Sequence, residues 1–327
     1  MESTAQEILV GVKEAIQRAN PSGQPMPAID PGHRHSFHWP PHAISRDYHV
    51  TSDQWNESSD HQIRGETYEV HWATNDHGIF GRIIDLWNEA KGSTKAEVLI
   101  DLEKGAAPWL DRMDCISESL GFPTRFHGRI RDLESPQLAS LLFASDRDVA
   151  YSASTEIEKR ASQLHFADAF IAILRDHSHP NRRTAQWCVL DMLEDHRAFC
   201  KSDSEVQLVV DAILALMMTA PDDYARTIYK AGVVLGGHFC NEPAAEALIT
   251  CINAPSKIGR RSAMHAVFHL VEWLPHHRTE VVNTLVAASD RESDPMLKEF
   301  ALSQANDIRE GASEHKEEPV FPEEISS

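Results

Sequence analysis

The residues best suited to chemistry are the histidines. The chain has 19 of them, and imidazole nitrogens are common ligands of transition metals. His33, His35, His38, His42 and His49 cluster around Trp39, Pro40 and Pro41. No acid or cysteine is interleaved at close metal-site spacing. The segment therefore reads as a surface loop with histidines packed about Trp39. A second set is His196 and Cys200, then His238 and Cys240. Each pair follows a helix, and stacking of those helix ends would assemble two thiols and two imidazoles. The competing reading is two buried thiols and two histidines answering helix C-terminal dipoles. A third set is His265, His269 and Glu272, which share a helical face at i, i+4 and i+7. No metal and no other cofactor is assigned to any of the three.

Basic residues form a different pattern. Arg182, Arg183, Arg226, Arg260 and Arg261 stand near the starts of successive helices. They can pair internally with Asp222, Asp223 and Glu194, or present a positive stripe to an acidic peptide or phosphate. A chain with formal net charge −19 favours the internal pairing. Nucleophilic and nucleotide chemistry lack a motif: there is no Gly-x-Ser-x-Gly and no Gly-Lys-Ser/Thr loop. Gly232, Gly236 and Gly237 cluster at a helix end. Gly236 and Gly237 can stop the helix, while Gly232 predicts the close approach of a neighbour.

The elements that must position these groups fall into two textures. Thr4 and Glu7 predict a capping box for an amphipathic helix over 3–19. A Pro/Gly-rich connector follows. Residues 66–73 alternate as a strand, Asn75–Gly78 reads as a turn, and a return strand is expected to about 83. Thr94 and Glu97 predict a helix ending at Gly105, with another from Trp109 to Leu120. About 130 residues thus read as an α+β region holding Trp39, Trp55, Trp72, Trp87 and Trp109.

From 131 to 309 the pattern is helix pairs joined by loops carrying Asp, Pro or Asn. Arg183, Arg226, Arg261 and Lys298 recur at intervals of 43, 35 and 37 residues. That period and the apolar stripes, such as Ala263, Val267, Leu270 and Leu274, describe stacked α-helical repeats. In these features the segment resembles HEAT repeats, most of all the short HEAT-like repeats of phycobilin lyases. The resemblance implies a mainly α fold, an α-solenoid of four to five helix pairs. The His-Glu dipeptides that mark HEAT-like deoxyhypusine hydroxylases are absent from the chain.

A protein-binding scaffold using the inner face of the repeats is the first functional expectation. From repeat position its face comprises Arg183, Asp191, Glu194, Arg226, Tyr229, Arg261, His265, His269 and Glu272. The alternatives are a phycobilin-lyase-like or tetrapyrrole-chaperone activity, implied by the resemblance, and a metal-binding HEAT-like enzyme. The acidic balance disfavours nucleic acid, which requires a basic surface. A membrane span needs about 20 apolar residues, and no stretch approaches that, so no membrane partner is expected. No basic region followed by an apolar one opens the chain, and the five cysteines read as reduced thiols; both features point to the cytoplasm. Residues 310–327 carry six Glu and one Lys and read as a disordered acidic tail.

Overall fold

The computed structural model describes residues 4–19, 47–86, 88–120 and 129–312. His33, His35, His38, His42 and residues 313–327 lie outside the described residues. The fold is mainly α, with one small antiparallel sheet.

Four strands form the sheet in chain order: β1 (Glu57–Ile63), β2 (Glu66–Asn75), β3 (Gly78–Ile83) and β4 (Asn88–Gly92). The expected hairpin is β2–β3, with Trp72 opposite Gly81 and Ala73 opposite Phe80. β1 and β4 escape a pattern search for a clear reason. Most of the Glu-Ser-Ser-Asp-His-Gln-Ile run of β1 is exposed, so no apolar alternation marks it. Its strand character comes from pairing along β2.

Helix α2 (Lys95–Leu120) covers the sheet. The hydroxyl of Thr94 accepts from the Glu97 N–H at 3.2 Å, and the Glu97 carboxylate accepts from the Ser93 N–H at 2.8 Å. The predicted break at Gly105 is not there: one helix runs through both Gly105 and Pro108. Gly105 is instead a contact point. A Cβ there would sit 2.6 Å from the Asn88 side-chain oxygen, and the Asn88 amide donates to the Leu102 carbonyl. Glycine is used here for close approach, not for termination.

Helix α1 (Ala5–Ala19) opens with the predicted box: Thr4 Oγ1 accepts from Glu7 N–H at 3.3 Å, and Glu7 accepts from Thr4 N–H at 2.6 Å. It packs on α3 (Ser135–Leu141) and α5 (Ala167–Leu174), distant in sequence, through buried Ile8, Val12 and Ala15. Ser140 Oγ donates to the Gly11 carbonyl at 3.1 Å.

The remaining helices are α4 (Arg147–Arg160), α6 (Arg182–Met192), the single turn α7 (His196–Phe199), α8 (Asp203–Thr219) and α9 (Ala225–Val233). They continue with α10 (Glu242–Cys251), α11 (Lys257–Trp273), α12 (Arg278–Arg291) and α13 (Pro295–Glu310). Helices adjacent in the chain pair as α3–α4, α5–α6, α8–α9, α10–α11 and α12–α13. First helices contact along α5–α8–α10, and second helices along α4–α6–α9–α11–α13. Side-chain caps start several of them, including Asp146 on α4, Ser202 on α8, Asn241 on α10, Ser256 on α11 and Asp294 on α13.

Gly236 and Gly237, which the sequence allows as a helix stop, do not end the helical path of α9. It widens into a π-helical stretch over Val234–Phe239 and ends at Cys240, which takes φ 46°. The expectation for Gly232 agrees with the packing: a Cβ there would lie 2.2 Å from Ser262 Oγ of α11. Ser262 Oγ in turn donates to the Ile228 carbonyl at 2.7 Å.

Candidate functional site

The arginines near the second-helix starts are turned inward. Arg183 is 2% exposed; its Nη2 meets Asp223 Oδ2 at 2.5 Å, and its guanidinium lies 4.4 Å from the Tyr224 ring centroid. Arg260 makes a two-pronged pair with Glu292 at 2.7 and 3.2 Å. Arg261 is buried with its guanidinium 4.1 Å from the Phe300 ring centroid. The expected placement of Arg183, Arg261 and His265 on an exposed inner face is corrected, because all three are buried. A cation near a repeat turn finds an acid or a ring of the next pair before it finds solvent. Arg226 is half-buried on α9.

Beside these arginines, acidic and aromatic groups at the α6–α9 contact keep exposed surface. Lys230 Nζ bridges Asp191, at 2.7 Å, and Glu194, joining α9 to the end of α6. Its ammonium lies 5.6 Å from the Trp187 ring centroid. Burial pulls the Lys230 pKa down, but the two carboxylates outweigh it and hold the value above the ordinary lysine range. Glu158 of α4 has its carboxyl pKa pushed up, first by desolvation and then by the negative charges of Asp191, Glu194 and Asp195. Acidic charge therefore accumulates at this end of the face.

One helix further on, the Tyr229 hydroxyl is 3.0 Å from His265 Nε2, and the two rings are 4.8 Å apart. The His265 and His269 rings meet edge-on at 5.2 Å. His269 Nδ1 lies 3.9 Å from Glu272. His265, His269 and Glu272 do share a face, and it is occupied by these ring contacts and the approach of His269 to Glu272. Tyr229, His269 and Glu272 keep solvent-facing surface.

The second metal candidate is not assembled. His196 is buried and stacks on Phe239 with centroids 4.2 Å apart. Cys200 is a buried thiol, Cys240 Sγ donates to the Gly236 carbonyl at 3.2 Å, and His238 Nε2 lies 3.8 Å from Glu194. The two helix ends do meet, His196 on Phe239 and His238 beside Glu194, but among the described residues His196, Cys200, His238 and Cys240 do not bring their ligand atoms together.

Among the described residues, one trio does bring three metal-type ligand atoms within 4.8 Å of one another: Glu242, His276 and His277. Sequence reasoning passed over it. The adjacent histidines after Leu274-Pro275 are a visible signal, but Glu242 is 34 residues from His276 and reaches it only through the packing of α10 beside the turn before α12.

In comparisons with protein-family models, curated proteins and solved structures, the chain matches none. Among the described residues no helix is long and apolar enough to cross a membrane.

Proposed function

We infer that the five helix pairs form a HEAT-like α-solenoid and that the chain is a non-catalytic scaffold. It binds a protein partner along the face of α4, α6, α9 and α11. The observation that carries the reading is the split between the two kinds of charge. Arginines from successive pairs are drawn into internal contacts, while Asp191, Glu194, Tyr229, His269 and Glu272 retain exposed surface. Like-to-like contacts of first helices and of second helices support the solenoid, because stacked repeats bury their faces against neighbours in this way.

The surface chemistry favours a basic partner segment, with Lys or Arg groups meeting the acids and an aromatic or methylene stem lying on Tyr229 and Trp187. This departs from the positive stripe considered at the start, whose arginines are committed elsewhere.

The test is affinity purification with the wild-type chain and with Tyr229→Ala/Glu272→Lys, followed by salt titration of each captured complex. The reading expects loss of a basic partner from the variant and weaker binding of the wild type at high salt. A partner set unchanged by the double substitution overturns it.

A further inference from the structure

The geometry points to a divalent transition-metal site, of the kind zinc occupies, formed by Glu242, His276 and His277 at the α10–α12 edge. Glu242 is the first residue of α10, and the two histidines form the tight turn Pro275–His277 that leads into α12. His276 Nε2 lies 2.9 Å from one Glu242 carboxylate oxygen, and His277 Nε2 lies 2.8 Å from the other. Both imidazoles thus aim the same ring nitrogen at one carboxylate.

The outer contact makes the arrangement specific. His277 Nδ1 is 3.0 Å from the Glu280 carboxylate. That oxygen only accepts, and in the tautomer that places the hydrogen on Nδ1 the neutral ring keeps its lone pair on Nε2. The lone pair then faces Glu242, which when ionised is also only an acceptor. A neutral His277 leaves two acceptors opposed at 2.8 Å; a second ring proton resolves the conflict in the metal-free chain, and a metal cation takes the proton's place when it binds. A carboxylate holding the far nitrogen of a metal-bound histidine is a recurring outer-shell device that fixes the tautomer and ring orientation. Glu280 supplies it here as a positioning residue.

The dimensions fit zinc. Ligand atoms around a tetrahedral zinc with bonds of about 2.0 Å stand about 3.3 Å apart. The nitrogen–oxygen separations are 2.8–2.9 Å, each to a different Glu242 oxygen, and the three ligand atoms lie within 4.8 Å of one another, so side-chain rotation has to bring them to that spacing. His276 and Glu242 are more than half exposed, so side-chain rotation accommodates them, while His277 is nearly enclosed. Two imidazoles and one carboxylate make three protein ligands. The fourth position opens to solvent beside a groove lined by His276, Thr279, Glu280, Asn283 and Arg291. Nitrogen donors select zinc, nickel or copper over magnesium.

The experiment is calorimetric titration of the full chain with Zn2+ alone at neutral pH, set against His276→Ala/His277→Ala, Glu242→Ala, Glu280→Gln and a Mg2+ control. The expected result is saturable zinc binding in which the double variant loses one equivalent. Glu242→Ala weakens that equivalent at least tenfold, Glu280→Gln weakens it about tenfold without abolishing it, and Mg2+ is not bound. Thermal unfolding without metal verifies that each variant is folded, and Zn2+ raises the unfolding temperature of the wild type but not of the double variant at the same free zinc concentration. Equal zinc stoichiometry and affinity in wild type and double variant overturn the site, as does the absence of saturable binding in the wild type.

Discussion

Arg183 of α6 crosses to Asp223 in the turn between the two helices of the next pair, and the contact joins a cation 2% exposed to a carboxylate 52% exposed. The asymmetry sets the consequences of removing either partner. Asp223 is largely solvated, so water screens its loss, and Asp223→Ala should cost about 1 kcal/mol. Arg183→Ala empties an enclosed site beneath Tyr224 and should cost about 3 kcal/mol or more. Denaturant unfolding of the two variants measures the order; a costlier Asp223→Ala would contradict this account.

The glycines near the α9–α11 contact should separate by packing. Helix propensity alone favours alanine over glycine by about 1 kcal/mol. At Gly232 the added methyl meets Ser262 Oγ at 2.2 Å, so Gly232→Ala should destabilise by about 1–3 kcal/mol despite the propensity gain. At Gly237 nothing lies within 4 Å, so Gly237→Ala should be neutral or stabilise by up to about 1 kcal/mol. Melting temperatures should therefore move apart.

His179 sets an acid limb for stability. It is buried, meets the Phe143 ring at a tilt with centroids 4.5 Å apart, and accepts the Asn181 N–H on Nδ1 at 2.9 Å. Burial lowers its pKa from 6.5 to about 4; the Asp176 charge works upward, and Arg182 downward. The unfolded chain therefore binds the proton more readily than the folded one. The contribution is present above pH 6.5 and is lost as pH falls from there to about 4. The effect amounts to about 3 kcal/mol at most. Unfolding free energy measured from pH 7.5 to 4 should slope less in His179→Gln than in the wild type.

Lys230→Ala should separate stability from binding. Asp191 and Glu194 are partly solvated, so losing the bridge should cost only about 1 kcal/mol. The face becomes more negative, and a basic partner should bind several-fold more tightly at low salt. Binding assays at two ionic strengths check this; an affinity that falls would place Lys230 itself in the contact.

Local rules carry a definite share of the structure. Periodicity marks the β2–β3 hairpin and the helix pairs after residue 134, and the side chains of Thr4 and Glu7 form their predicted box within three residues of each other. These features depend on spacing along the chain, so the sequence by itself determined them. The role of Gly105, the π-helical end of α9, the partners of Arg183 and Arg261, and the seat of α1 on α3 and α5 depend on groups distant in sequence. Residue type shows that an arginine needs an anion, a ring or water; only the packed neighbours decide which it meets. The same holds for the histidines. His196 and His238 do lie where two helix ends meet, but a ring and a carboxylate of the opposite end occupy them, while Glu242, His276 and His277 meet because α10 lies beside the turn that begins α12. Ligand type is written along the chain, but ligand convergence depends on how distant helices pack.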